Sequence, residues 1–141
     1  MLNNLVVYFS ATGTTKNAAI KLANEIGGDL LEIVPTEIYT SGDLNWTNPS
    51  SRSSIEIKDL SYRPSIKDIN INLDKYQKIY LGYPIWWDLA PNVVKTFIDS
   101  VDLTDKEIIT FCTSGGTSLD NSTKDLQNTY PNLKITLGKK L

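Results

Sequence analysis

The chain has 141 residues, 40% of them hydrophobic and 21% charged, which is enough apolar material for one domain, 1–141, with a sizeable core. Its 14 basic and 16 acidic residues leave a net charge of −2, so no strong field draws nucleic acid or an anionic membrane to it. Histidine is absent and cysteine occurs once, as Cys112, which removes the commonest metal ligand, the usual general base and any internal disulfide. No metal site is expected, and the chemistry falls to a cofactor or to carboxylates.

The first apolar run, Leu5, Val6, Val7, Tyr8 and Phe9, reads as a strand. It is too short to span a membrane and has no basic leader, so a cytoplasmic location without membrane insertion is expected. The run stops at Ser10-Ala11-Thr12-Gly13-Thr14-Thr15, where hydroxyls surround one glycine just as a helical pattern begins. Amides at a helix start carry the positive end of the dipole, and hydroxyls add donors, so this loop suits a phosphate. A triphosphate-binding loop is excluded because Lys16 follows two threonines rather than a glycine. A dinucleotide fingerprint is excluded because Gly13 is the only glycine before residue 27. The plain alternative is a strand-to-helix turn whose hydroxyls merely cap the helix.

The helix is expected over 15–26, with Ala19, Leu22, Ala23 and Ile26 on one face and Gly27-Gly28 as its stop. A second strand follows at 30–34, ended by Pro35. The stretch 36–73 then breaks the rhythm. It is polar and long, which marks it as functional or partly structured, and a short helix is expected near 53–60. Residues 78–83 form a third strand closed by Pro84, and Ile85, Trp86, Trp87 and Asp88 follow as a loop. Pro91 stands where a helix starts, with Val93, Val94, Phe97, Ile98 and Val101 at helical spacing. A fourth strand is expected at 108–112, then Thr113, Ser114, Gly115, Gly116 and Thr117 as a loop, a weaker helix near 119–129 and a fifth strand near 133–137.

Alternating strands and helices imply right-handed crossovers and a parallel, doubly wound α/β sheet. Ligands of such sheets sit beyond the carboxyl ends of the strands. Three loops qualify: 10–15, 84–88 and 113–116. Tryptophans there offer flat faces to an aromatic ring, and the Ser-Gly-Gly run lets backbone amides approach a polar ring edge. The bland readings are a core or partner-binding role for Trp86 and Trp87 and an ordinary turn at 114–116.

Taken in order, these pieces resemble the flavodoxin-like family. The marks are Ser10-x-Thr12-Gly13-x-Thr15, then Gly82-Tyr83-Pro84-Ile85-Trp86-Trp87, Pro91-x-x-Val94-x-x-Phe97 and Thr113-Ser114-Gly115-Gly116, with Arg63-Pro64-Ser65-Ile66 ahead of the third strand. The resemblance covers nearly the whole chain. It implies strand order 2-1-3-4-5 with helices on both faces. It also implies FMN as cofactor, with its phosphate on Ser10, Thr12, Gly13, Thr14 and Thr15. The ring would meet Pro84, Ile85, Trp86, Trp87 and Asp88 on one loop and Thr113, Ser114, Gly115 and Gly116 on the other. Tyr39, Tyr62 or Trp46 would serve as lids. Chemistry would lie on the flavin, so no catalytic side chain is singled out, and Cys112 is expected to pack.

The implied role is electron transfer or flavin-dependent reduction of small acceptors such as quinones, with a small-molecule or protein electron donor and acceptor as partners. The weak net charge favours small acceptors over a dedicated acidic docking face. A flavin-free binding module on the same fold is the alternative. Two departures stand out. Asp88 occupies a turn where the short-chain members of the family marked by the Gly-Tyr-Pro-Ile-Trp-Trp loop often have glycine, and the family's usual final helix is absent before Leu141. One apolar sheet face is therefore expected to be covered by a helix continuing past Leu141, or by a homodimer that buries Ile135 and Leu137.

Overall fold

The computed structural model describes residues 3–45, 47–69, 71–113 and 119–140, with residues 139 and 140 as backbone. Five strands make one parallel sheet: β1 Asn4–Tyr8, β2 Asp29–Glu32, β3 Lys78–Pro84, β4 Glu107–Thr113 and β5 Lys134–Lys140, in the order β2-β1-β3-β4-β5. Among the described residues four α-helices join them: α1 Thr14–Ile26, α2 Arg52–Lys58, α3 Asn92–Ser100 and α4 Asp120–Thr129. The expected order and fold class hold, and element ends shift by only a few residues, as fraying ends do.

The period-two alternation of β1 sorts its side chains between two cores. Val6 and Tyr8 join Ala19, Leu22 and Ala23 of α1 on one face. Leu5 and Val7 face the other way, into the larger core with Val93, Val94, Phe97 and Ile98 of α3 and Leu126 of α4. Each buried Val, Leu, Ile or Phe side chain among these contributes about 1.5–3 kcal/mol relative to exposure. Cys112 is fully buried in that core. Among the described residues no helix is long and apolar enough to cross a membrane, and no group of three or more His, Cys, Asp or Glu could hold a metal ion.

The stretch 36–73 is tied back to the domain at several points. Ile66 pairs with Pro35, and Arg63 Nε donates to Asp99 Oδ2 at 2.7 Å, so the Arg-Pro-Ser-Ile element fastens the excursion to α3. Tyr130 Oη donates to the same carboxylate at 2.7 Å, linking the end of α4 to the pair.

The expected pairing of Ile135 with Leu137 on one uncovered face is corrected. Ile135 is buried in the α3 and α4 core, whereas Leu137 is 54% exposed on the α1 side. A register shift in the β4–β5 ladder between Ile109 and Phe111 breaks the alternation. Gly138 sits at this irregularity, where a Cβ would come within 1.9 Å of the Thr110 carbonyl oxygen. Leu137 thus turns toward Leu22, Ile26, Tyr80 and Ile109, which line a groove of about 410 Å3 beside α1.

Candidate functional site

The chain leaves β1 and turns into α1 through Gly13, whose φ of +95° lies in the left-handed region that favours glycine. Gly13 N–H donates to Ser10 Oγ at 3.0 Å, so Ser10 shapes the turn. Thr15 is buried, and its Oγ1 lies 2.7 Å from Thr113 Oγ1, a bond that joins the loop to the end of β4. Thr12 and Thr14 remain exposed, their hydroxyl oxygens 3.4 Å apart. No side chain caps α1, and no acidic residue lies in its first turn. Its first amides therefore face outward with the positive dipole end and two neighbouring hydroxyls, a donor set that fits a phosphate.

Beyond β3, Trp86 N–H donates to the Leu89 carbonyl at 2.9 Å and Leu89 N–H returns a bond of 3.0 Å to the Trp86 carbonyl. Trp87 and Asp88 form the two-residue turn between them with φ of +47° and +69°. Both are non-glycine residues in the left-handed region, and a bulky side chain is rare there. Asn121 Nδ2 of α4 donates to Asp88 Oδ2 at 2.6 Å and holds the turn from outside. Trp86 is half-buried and packs edge-on against Phe9 and Tyr39, with ring centres 5.8 Å and 5.4 Å away. Trp87 is 44% exposed.

Tyr39 closes this aromatic group from behind. Its hydroxyl donates to Glu56, a buried carboxylate that also accepts from Arg52 Nε at 2.9 Å, while the Arg52 guanidinium lies 3.8 Å from the Tyr39 ring centre. Burial, then the bond to Glu56 and its charge, pushes the Tyr39 phenol well above its ordinary pKa. Burial opposes the charge of Arg52, but Glu56 and Tyr39 outweigh it and raise that pKa too. At the other end of α2, Asn92 Nδ2 donates to the carbonyls of Glu56, Asp59 and Tyr62 at 2.8, 2.9 and 3.2 Å.

The profile of the family described as Flavodoxin matches residues 3–141. The chain belongs to the flavodoxin family. Among solved structures, the chain resembles a candidate flavoprotein from Bacteroides eggerthii DSM 20697, with 50% identity and a TM-score of 0.96 over 99% of this chain and 87% of the other. A second candidate flavoprotein, from Bacteroides uniformis ATCC 8492, shares 44% identity at a TM-score of 0.96, covering 99% and 90% of the two chains. A Lactobacillus acidophilus NCFM flavoprotein in complex with FMN has the same fold at 24% identity, with a TM-score of 0.82 over 99% of this chain and 93% of that one. None of the curated proteins matches the chain in sequence.

In this chain, Ser10, Thr12, Gly13, Thr14 and Thr15 lie at the carboxyl end of β1, and Pro84, Ile85, Trp86, Trp87 and Asp88 lie at that of β3. Thr113 ends β4 at the same sheet edge, and the bond from Thr15 brings it to the first loop. Ser114, Gly115 and Gly116 lie outside the described residues, as does Trp46. Tyr39 is corrected from a lid to a support, because it is buried beneath Trp86 rather than set over an opening. Tyr62 has an exposed ring, and its carbonyl belongs to the Asn92 clamp. Sequence reading missed Glu56, Asn92 and Asn121. The Arg52 to Glu56 spacing of four residues signals an ion pair on a helix, but nothing local signals that its carboxylate is buried.

Proposed function

We propose that this chain binds FMN and acts as a redox protein, carrying electrons or reducing small acceptors such as quinones. One observation carries the reading. The α1 N-terminus lacks a side-chain cap and stands beside the exposed hydroxyls of Thr12 and Thr14, at the sheet edge that also presents Trp86 and Trp87. The α1 amides with Thr12, Gly13 and Thr14 would hold the phosphate, Ser10 would keep the turn in shape, and Thr15 would anchor it to Thr113. Residues 84–88 and 113–116 would hold the ring. The flavoprotein designations of the two Bacteroides relatives and the FMN complex of the Lactobacillus protein support the assignment.

Bound FMN would supply the electron-transfer chemistry, while the protein positions it and limits water around it. Trp86, fixed between Phe9 and Tyr39, gives the ring loop a rigid base, and the bond from Asn121 to Asp88 restrains its turn. A net charge of −2 supports small acceptors over a strongly charged protein partner.

Titration with FMN and with riboflavin tests this reading. Thr12→Ala combined with Thr14→Ala should weaken FMN by about 2–4 kcal/mol, at about 1–2 kcal/mol per charge-assisted hydrogen bond, and leave riboflavin almost unchanged. This pair is cleaner than one including Thr15, whose hydroxyl is engaged with Thr113. Equal losses for the two ligands would remove the phosphate assignment. A colourless protein that binds neither would make the fold a flavin-free interaction module.

A further inference from the structure

A cleft of about 350 Å3 opens between α2 and the turn after β3, walled by Ile57, Leu89 and the Trp87 indole, with Thr47, Ser54 and Lys58 as its polar lining. We propose that it is a binding site for a planar aromatic of one or two rings bearing carbonyl or anionic oxygens, the chemical class of quinone acceptors. As an acceptor site it rests on the FMN reading; as a binding site it does not.

The cleft is preformed. Helix α2, which supplies Ser54, Ile57 and Lys58, has only seven residues and could not hold its shape alone. It is fixed from its other side. Ser51 caps its start by accepting from Ser54 N–H, Glu56 is gripped by Tyr39 and Arg52, and Asn92 takes the carbonyls at its end. The opposite wall is equally fixed, since Trp87 rides on a turn closed by the Trp86–Leu89 bonds and held by Asn121. A rigid pocket loses little conformational entropy when a ligand enters.

The lining specifies the ligand. An indole left 44% exposed offers a flat face, and Ile57 and Leu89 exclude anything hydrated from the remaining walls. Lys58 makes no ion pair among the described residues, so its ammonium is available to an oxygen at the ligand's end, with the Ser54 hydroxyl, whose oxygen accepts from Ser51 Oγ, as an additional donor; the Thr47 hydroxyl already donates to Asn45 Oδ1 at 2.6 Å. The volume falls at the small end of the range of about 300–1,000 Å3 for ligand pockets, which suits one or two fused rings rather than a dinucleotide. The position also matters. Trp87 is shared between this cleft and the loop at the carboxyl end of β3, and no residue of 10–15 lines it, so an occupant would sit beside the proposed ring loop and clear of the α1 N-terminus.

Naphthalene-2-sulfonate, a redox-silent probe of this shape and charge, tests the proposal by calorimetric titration into apoprotein and FMN-loaded protein. Binding to both forms with similar Kd is expected. Lys58→Gln should weaken it roughly tenfold, as loss of a charge-assisted bond does. Ile57→Glu should abolish it, and FMN affinity should stay unchanged in both variants. Failure of the wild type to bind the probe, displacement of the probe by FMN, or an unaltered Kd in Lys58→Gln would each overturn the site. If FMN itself fails to bind while the apoprotein takes the probe with the stated dependence on Lys58 and Ile57, the cleft stands as a ligand site and the flavin reading falls.

Discussion

Glu56 is a buried carboxylate whose partners are Tyr39 and Arg52, so its burial depends on both remaining in place. Tyr39→Phe keeps the ring against Trp86 but removes one donor, and should destabilise the fold by about 1–3 kcal/mol in urea denaturation. Tyr39→Ala, which also leaves a cavity beneath Trp86, should cost about 3–5 kcal/mol. Near-equal losses in the two variants would show that the hydroxyl, not the ring, matters at this position. Asn92 acts in a different way, because one side-chain amide serves three carbonyls from the end of α2 and beyond. Asn92→Ala should lower the stability measured by urea denaturation by about 1–3 kcal/mol, chiefly by stranding the Glu56 carbonyl, whose bond is buried.

Among the elements, β5 shows how one backbone irregularity redirects a side chain. The Thr110 carbonyl approaches Gly138 so closely that a Cβ would lie 1.9 Å from it and 2.8 Å from the Ile109 side chain. Gly138→Ala should therefore force the β4–β5 ladder to shift, at a cost of about 1–3 kcal/mol or more, read as a lowered midpoint of chemical denaturation. An unchanged midpoint would mean that the edge strand moves freely. The turn after β3 carries its strain in two left-handed side chains in succession, and it keeps that shape because the Trp86–Leu89 bonds and Asn121 hold it.

For the whole molecule, alkaline pH is the sensitive side. The Tyr76 and Tyr83 phenols are pushed up to about 12, and those of Tyr39 and Tyr130 also rise, in each case first through burial. In the unfolded chain these groups ionise near 10.0, so their raised folded values give stability that is complete below pH 10 and is lost as pH climbs through the folded values. With no histidine to titrate, Tm should be nearly flat from about pH 6 to 9 and fall steeply above about pH 10, in step with tyrosinate absorbance. The groove beside α1 gives a second whole-molecule test. A homodimer built on that face should scatter light as a dimer and revert to monomer in Leu137→Lys, while a monomeric wild type would remove the dimer. In a monomer the same exposed substitution should change stability by no more than about 0.5 kcal/mol.

The strands, the long helices and the turn from β1 into α1 were legible in the sequence because their signals are local. Runs such as Leu5 to Phe9, the spacing of Val93, Val94, Phe97 and Ile98, and hydroxyls around Gly13 each act within a few residues. By itself the sequence also excluded histidine chemistry and an internal disulfide, and the ordered motifs from Ser10 to Gly116 pointed to the family. Tertiary structure alone decided the rest. Thr15 meets Thr113 across 98 positions, Tyr39 becomes a buried support only because Glu56 and Trp86 close around it, and Leu137 leaves the face of Ile135 through a register shift. In each case the outcome depends on which distant groups share a space, since a hydroxyl or carboxylate is buried only where a partner from elsewhere in the chain satisfies it.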